Sequence, residues 1–335
     1  MEVVAGRAFD VSEATQAGEA RRGAMHLARS VGLDDEDAGK VGLVVTEAAT
    51  NMVKHASGGR LLVQPLERGA LRGVGALAID RGPGMSRLPE MMRDGFSTTG
   101  TNGTGLGAIA RQSSQFDVYS VPGRGTALYA SIWSGERAPT AAGLAIGAVS
   151  MPLGGERVCG DGWAVASDRG RTYVLLTDGL GHGAHAHQAS MAAEKTFREH
   201  PGAPLEDTMS RLHDALRPTR GAAAAIVEID PARGILRFCG VGNISGRLIG
   251  EDIDRMLVSH FGTLGHDVRH MVPFEYPWSP GTLLILHSDG LSSHWKFDDY
   301  PGLWRRDPTL VAGVLFRDHA RMRDDCTVVV VREAA

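Results

Sequence analysis

The chain has 335 residues, 43% of them hydrophobic and 22% charged, with a formal net charge of −4. This composition excludes wholesale disorder and argues against a dedicated nucleic-acid binder, and at about 150 residues per domain the length suits two domains. No apolar run reaches the roughly 18 residues of a membrane span, and Met1 to Asp10 has no basic stretch leading into an apolar one, so no membrane partner and a cytoplasmic location are expected.

Basic and acidic residues balance over residues 1–140, so the acidic excess lies in the second half. Three cysteines, Cys159, Cys239 and Cys326, are too few and too far apart for a disulfide framework or a zinc site. The 44 glycines are about twice the usual share and follow no collagen period, so they belong to turns and close approaches.

In chain order, Ala14 to Val31 reads as a helix. Asp35 to His55 reads as a longer one, with Val41, Val44, Val45, Ala48, Met52 and Val53 at helical spacing and Gly58-Gly59 as its stop. Strands follow at Arg60–Leu66, Val74–Asp80, Phe116–Val121 and Thr126–Trp133, with a helical pattern at Ala108 to Ser114. Residues 134–142, small and containing Pro139, read as a linker. Beyond it come strands at Leu144–Leu153, Gly162–Ser167 and Tyr173–Thr177, then helices at Ala186–Glu199 and Leu205–Leu216. Further strands follow at Ala223–Ile229, Gly234–Val241, Ser245–Ile249, Leu283–His287 and Thr327–Val331. Both halves read as layered α+β sandwiches.

Three pieces of the first half carry nucleotide chemistry. Glu47 and Asn51 lie one turn apart on one helix face, where a carboxylate and an amide can hold Mg²⁺ and its water. Asp80-Arg-Gly-Pro-Gly-Met85 ends a strand; Gly82 and Gly84 allow close approach, and Asp80 can accept from an exocyclic amine. Gly100-Thr-Asn-Gly-Thr-Gly-Leu-Gly107 precedes a helix and can offer backbone N–H groups to phosphates. Taken singly, each also fits a polar helix face, an ordinary turn or a loose loop.

In order and spacing, together with Gly123-Arg-Gly-Thr126, these pieces resemble the GHKL ATPase and kinase superfamily. Val45 to Ala56 is similar to the N box of bacterial anti-sigma-factor and switch kinases. Asp94-Gly-Phe-Ser-Thr-Thr99 is nearer the switch-kinase (RsbT-like) branch than the sigma-binding (RsbW-like) one. The resemblance covers about residues 5–133 and implies ATP and Mg²⁺ as cofactors. It implies Glu47 as catalytic base or water-orienting group, Asn51 as magnesium ligand and Asp80 as adenine reader. Gly103, Gly105 and Gly107 would be phosphate contacts, and Thr126 would support the adenine pocket. No chemistry is assigned to His55.

The second half sets aspartates at strand ends: Asp161, Asp178 in Asp-Gly-Leu-Gly-His-Gly183, Asp289 in Asp-Gly-Leu291, and Asp324-Asp325. Converging carboxylates suit Mg²⁺ or Mn²⁺, and two such ions about 3.5–4 Å apart activate water for in-line phosphoryl displacement. Any one Asp-Gly alone is more often a turn. The four-part pattern resembles the PPM-type metal-dependent protein phosphatases of the SpoIIE/RsbX branch over about residues 144–332. That resemblance implies Asp178 as the bridging ligand and Gly179 as a carbonyl ligand. Asp289 and Asp324 would complete one metal, and Asp161 would act through the second metal or its waters. Asp325 has a less secure role. Leu180 stands where eukaryotic relatives usually have histidine. His182, His185 and His187 are expected at the surface, and Cys326 is expected to pack as a small apolar residue.

The expected organisation is therefore residues 1–133 as a GHKL kinase-like domain, 134–142 as linker and 143–335 as a phosphatase domain. The resemblances imply a partner-switching regulator that phosphorylates and dephosphorylates Ser or Thr on a STAS-domain anti-sigma-factor antagonist or stressosome-type protein. Two other readings keep the phosphatase. In one the first half sequesters a sigma factor or STAS protein with ATP as a structural ligand; in the other it is a nucleotide sensor.

Overall fold

The computed structural model describes residues 6–86, 88, 105–135, 143–251 and 253–333. The chain divides into two compact α+β units, Met1–Thr140 with Arg305–Arg317, and Ala141–Trp304 with Asp318–Ala335. Up to residue 133 the elements are β1 (Arg7–Val11), α1 (Ala14–Ser30), α2 (Asp35–Ala56), β2 (Gly59–Arg68), β3 (Leu71–Ile79), α3 (Gly105–Gln112), β4 (Gln115–Ser120) and β5 (Thr126–Trp133). Then come β6 (Leu144–Met151), β7 (Asp161–Asp168), β8 (Arg171–Gly179), α4 (Ala184–Glu199), α5 (Leu205–Leu216), β9 (Ala222–Asp230), β10 (Ile235–Val241) and β11 (Ser245–Ile249). Five short strands follow: β12 (Asp254–Met256), β13 (Ser259–His260), β14 (Gly262–Thr263), β15 (Asp267–Val268) and β16 (Phe274–Pro277). The chain closes with β17 (Leu283–His287), α6 (Pro308–His319) and β18 (Cys326–Glu333).

The first unit is an antiparallel sheet in the order β1-β2-β3-β5-β4. Alternate residues face opposite ways. Val74, Ala76 and Ala78 of β3 and Leu128, Ala130 and Ile132 of β5 pack with Leu27, Val41, Val45 and Ile109 of the helices. Asp34 starts α2 by accepting the Asp37 N–H at 2.8 Å. The helix does not stop on Gly58-Gly59 as the glycine pair suggests. Ser57 itself turns left-handed at φ 57°, and Gly59 already opens β2. A Cβ on Gly59 would sit 2.6 Å from Met52 Sδ and 2.7 Å from the Ile79 carbonyl, so this glycine serves a close approach.

The opposite sheet face is also buried: Leu62, Leu77, Tyr119, Ala127, Tyr129 and Trp133 are each under 8% exposed. The segment Arg305–Arg317, more than 170 residues later, belongs to this same unit. A Cβ on Gly313 of α6 would come 2.6 Å from Leu77 Cδ2. Tyr129 bonds Thr309 of α6 as well as Ser131. Asp117 of β4 holds the start of the helix, accepting the Asp307 N–H at 2.7 Å and Arg306 Nη1 at 3.2 Å. Residues Pro308 to Arg317 are all buried, so α6 has no polar stripe for periodicity to reveal.

The second unit has a sheet in the order β13-β10-β9-β8-β7, with β16 also on β10, and a sheet in the order β12-β11-β17-β18-β6. Val174 and Leu176 of β8, Val227 of β9, Leu286 of β17 and Val329 of β18 share the core between the sheets. The intervening residues Tyr173, Leu175 and Ile226 face Phe197, Met209 and Leu212 of α4 and α5. Strand β8, which carries Asp178, is thus fixed on both faces.

Because Arg305–Arg317 belongs to the first unit, a nick between Ser134 and Ala142 should leave both pieces co-eluting in gel filtration under native conditions. Pieces that part without denaturant would contradict that assignment.

Candidate active sites

In the first unit, α2 carries Glu47 and Asn51, both half-buried. Asn51 lies against the start of α3: a Cβ on Gly105 would be 3.5 Å from both Asn51 Nδ2 and Oδ1. Gly107 is buried in the same helix. Asp80 follows β3 and is held by its own loop. Its Oδ1 accepts the N–H of Gly82 at 2.8 Å and of Thr126 at 3.2 Å, and its N–H donates to the Thr126 carbonyl at 2.9 Å. Both side-chain contacts use Oδ1, leaving Oδ2 for an incoming donor. Burial raises the Asp80 carboxyl above its usual range, the two amides lower it, and the charge of Arg317 lowers it further.

The glycines around Asp80 are sterically required. A Cβ on Gly82 would meet Ala56 Cβ at 2.6 Å, and one on Gly84 would clash with the Val121 carbonyl at 2.2 Å. The Thr126 hydroxyl bonds Ser120 Oγ at 2.9 Å, and Ser120 Oγ accepts the Met85 N–H. Asp80, Gly82, Gly84 and Thr126 thus form one loop cluster, and Asn51 and Gly105 another. Gly103 and the stretch Asp94–Thr99 lie outside the described residues.

In the second unit, Asp161 opens β7 directly opposite Asp178 of β8. Like charges facing across a ladder repel, and burial withholds the water that would screen them. Asp161 is 5% exposed; Ser288 Oγ donates to its Oδ2 at 2.7 Å, while its Oδ1 is buried with no partner. Burial pushes both carboxyls well above the usual range; the hydroxyls of Ser288 and Thr327 offset part of this at Asp161, while Asp325 and Asp324 push Asp161 further up and Asp161, Asp289, Asp324 and Asp325 do the same to Asp178. A facing pair, one carboxylate buried and one half-buried, with an oxygen that accepts no hydrogen bond among the described residues, fits a cation.

Asp289 follows β17 and accepts Asn243 Nδ2 at 2.7 Å. Asp324 is half-buried and accepts the Asp325 N–H at 2.9 Å. Among the described residues, no three His, Cys, Asp or Glu side chains are placed as they stand to hold one metal ion. The carboxylates of Asp161, Asp289 and Asp324 nevertheless act on Asp178 through their charge, and carboxylate oxygens are the donors that Mg²⁺ takes beside its own waters. Gly179 admits no side chain, since a Cβ there would lie 2.2 Å from the Ala186 carbonyl.

Several residues differ from the sequence reading. Asp178 and Gly179 lie within β8, paired with Ala223 and Ala222, rather than beyond its end. Asp325 serves the backbone, since its two oxygens accept the N–H groups of Leu153 at 2.7 Å and Gly160 at 2.8 Å and so fix the approach to Asp161. His187 is half-buried rather than at the surface and bonds the Cys159 carbonyl at 2.9 Å. His182 and His185 are exposed, and His182 Nδ1 lies 2.6 Å from Glu156. Cys326 is buried. Asn243 and Ser288 carried no sequence signal beyond their place beside a glycine turn and before Asp289.

Comparison with known proteins matches residues 11–132 to the histidine kinase-like ATPase domain and residues 168–333 to stage II sporulation protein E (SpoIIE). The serine/threonine-protein kinase RsbT of Bacillus subtilis (strain 168) is 31% identical over 114 residues, covering 34% of this chain and 86% of RsbT. The chain belongs to the RsbT kinase family and carries a SpoIIE phosphatase domain fused to it. The phosphoserine phosphatase RsbX of the same organism is 27% identical over 141 residues, 41% of this chain and 70% of RsbX. A solved structure from work on the bacterial stressosome, a modular system adapted to control secondary-messenger signalling, is 26% identical. It covers 56% of this chain and 99% of its own, with a TM-score of 0.53. The fusion is thus a protein serine/threonine kinase and phosphatase of the partner-switching kind. Among the described residues no helix is long and apolar enough to cross a membrane.

The raised carboxyls of Asp161 and Asp178 make the metal-free second unit less stable as pH rises from the ordinary carboxylate range towards their folded values, because folding there requires proton uptake. Asp178→Asn removes one of the two facing carboxyls and with it the need to take up a proton there. It should raise the melting temperature of the chelator-treated protein by ~2–4 °C, the effect of about 1 kcal/mol in a domain of this size. It should also abolish stabilisation by added Mn²⁺. A variant that melts lower than wild type without metal and still responds to Mn²⁺ would rule out the facing-charge reading.

Proposed function

We propose that the two units run opposite reactions on a partner protein: phosphoryl transfer from ATP to a Ser or Thr hydroxyl, and hydrolysis of that phosphate. The observation that carries the reading is that one chain builds two polar sites of different chemistry. One has a half-buried Glu–Asn pair beside a helix start and a loop-held aspartate; the other has facing carboxylates, one buried and one half-buried. By the stated likeness to RsbT and RsbX, the partner is a STAS-domain antagonist or a stressosome-type protein. ATP as the phosphoryl donor accords with a cytoplasmic reaction.

In the kinase site, Glu47 takes the proton of the attacking hydroxyl or orients it. Asn51 would supply an amide oxygen to the Mg²⁺ that accompanies the nucleotide. Asp80 Oδ2 accepts from the adenine amine, with Gly82 and Gly84 letting the nucleotide-facing loop pack against Ala56 and Val121 and Thr126 bracing it. Gly103, Gly105 and Gly107 offer amides to the phosphates.

In the phosphatase site, Asp161, Asp178, Asp289, Asp324 and the Gly179 carbonyl would hold Mg²⁺ or Mn²⁺, since an oxygen-only donor set suits these ions. When bound, such ions supply a water of lowered pKa and neutralise charge on phosphoryl oxygens. Asn243 orients Asp289, Ser288 orients Asp161, and Asp325 fixes the loop that leads into Asp161.

Labelled ATP and a purified STAS partner test the reading. Glu47→Ala should cut label transfer by about 10²–10⁴-fold while sparing ATP binding. Asp178→Ala should release no phosphate from the phosphopartner and should accumulate more of it than wild type. Stable complex formation without transfer in wild type would favour a sequestering role, with a sigma factor or a STAS protein as the captive.

A separate measurement addresses the nucleotide. Asp80→Asn turns an acceptor partly into a donor and should cost about 1.5–3 kcal/mol of ATP affinity, roughly tenfold to a hundredfold. Unchanged affinity by calorimetry in a folded variant would refute the adenine assignment.

A further inference from the structure

Arg317 is 7% exposed, near the C-terminal end of α6. A buried guanidinium is costly unless its donors are used. Its Nη1 donates to the Asp80 carbonyl at 3.3 Å, and Arg81 returns the contact by donating Nη2 to the Arg317 carbonyl. The Asp80 carbonyl is also enclosed by Gly125, which has φ +80° and whose Cβ would fall 2.1 Å from it. The loop carrying the nucleotide-facing carboxylate is therefore clasped from α6. The other end of that helix is tied to β4 through Asp117. The clasping segment lies within residues 168–333, the stretch that matches SpoIIE, yet it belongs to the ATP-binding unit.

We propose that Arg317 is a positioning residue of the nucleotide site, so that ATP binding by the first unit depends on a segment contributed from the phosphatase part of the sequence. This rests on the reading of Asp80 as the adenine acceptor. Arg317 acts in two ways. It fixes the Asp80 backbone, so that Oδ2 keeps its direction without rearrangement when the base arrives. Its positive charge also opposes the burial that raises the Asp80 carboxyl. The other influences on Asp80 are the Gly82 and Thr126 amides, while Arg81 directs its guanidinium to the Arg317 carbonyl. Removing the cation leaves the carboxyl higher still, so the acceptor form is lost at a higher pH on acidification.

The test is ATP binding by calorimetry on the full-length protein across about pH 5–8, using wild type, Asp80→Asn, Arg317→Met and Arg317→Lys, with folding checked by circular dichroism. Arg317→Met should weaken binding up to about tenfold near neutrality and move its acid limb to higher pH. Arg317→Lys, which keeps the charge, should hold the limb near that of wild type. If Arg317→Met does not fold, Arg317→Gln is read in the same way. Wild-type affinity and limb in a neutral variant, alongside a weakened Asp80→Asn, would overturn this inference alone. Equal losses in the Met and Lys variants with no shift of the limb would reduce Arg317 to a purely structural role and also overturn it. Unchanged affinity in Asp80→Asn would remove the adenine reading and this inference with it.

Discussion

Two carboxylates, the buried Asp161 and the half-buried Asp178, face each other across neighbouring antiparallel strands, and the second unit is organised around that unfavourable pairing. Left alone, the pair opposes folding as pH rises, because burial and the facing carboxylate oblige the fold to take up protons. It persists because β7, β8 and β9 are locked in register by cores on both faces, with Val174 and Leu176 on one side and Leu175 on the other. The surrounding hydrogen bonds serve the same pair. Ser288 holds one Asp161 oxygen, Asp325 holds the chain leading into it, and Asn243 steadies Asp289. A pair that costs the fold stability is the kind of arrangement a functional site carries.

The first unit uses a milder version of the same device. Asp80 is half-buried and its carboxyl is raised, but two backbone amides and one arginine keep it usable as an acceptor. The loop around it is tight because Gly82, Gly84 and Gly125 each sit where a side chain would strike neighbouring chain. The arginine arrives on a helix from far along the sequence, and that helix also covers Leu77 and Tyr129 on the sheet face away from α1 and α2. The kinase part of the fold is thus completed by a late segment of the chain. A fragment ending at the linker would expose that apolar face and leave the Asp80 loop without its clasp.

Much of this was legible from local pattern. Thr126–Trp133, Ser245–Ile249 and Leu283–His287 appear as strands and Leu205–Leu216 as a helix with the bounds that apolar runs and breakers suggest. The strands β12 to β16 leave no local pattern because each is two to four residues long and has at most one buried residue, held by pairing rather than by its own apolar run. Helix α6 leaves none for the opposite reason: it is buried all round, so its sequence has no amphipathic period.

The sequence by itself determined the two-part α+β plan and the chemical types of both sites, because motif spacing and alternating burial are local properties of a chain. Only the tertiary structure decided which groups meet. The register of β7 on β8 set Asp161 against Asp178, the turn before Asp161 gave Asp325 backbone amides to hold, and the course of α6 brought Arg317 to Asp80. These meetings join residues 17, more than 160 and more than 230 positions apart. Their cause is packing of distant elements into shared cores, which no window along the chain contains.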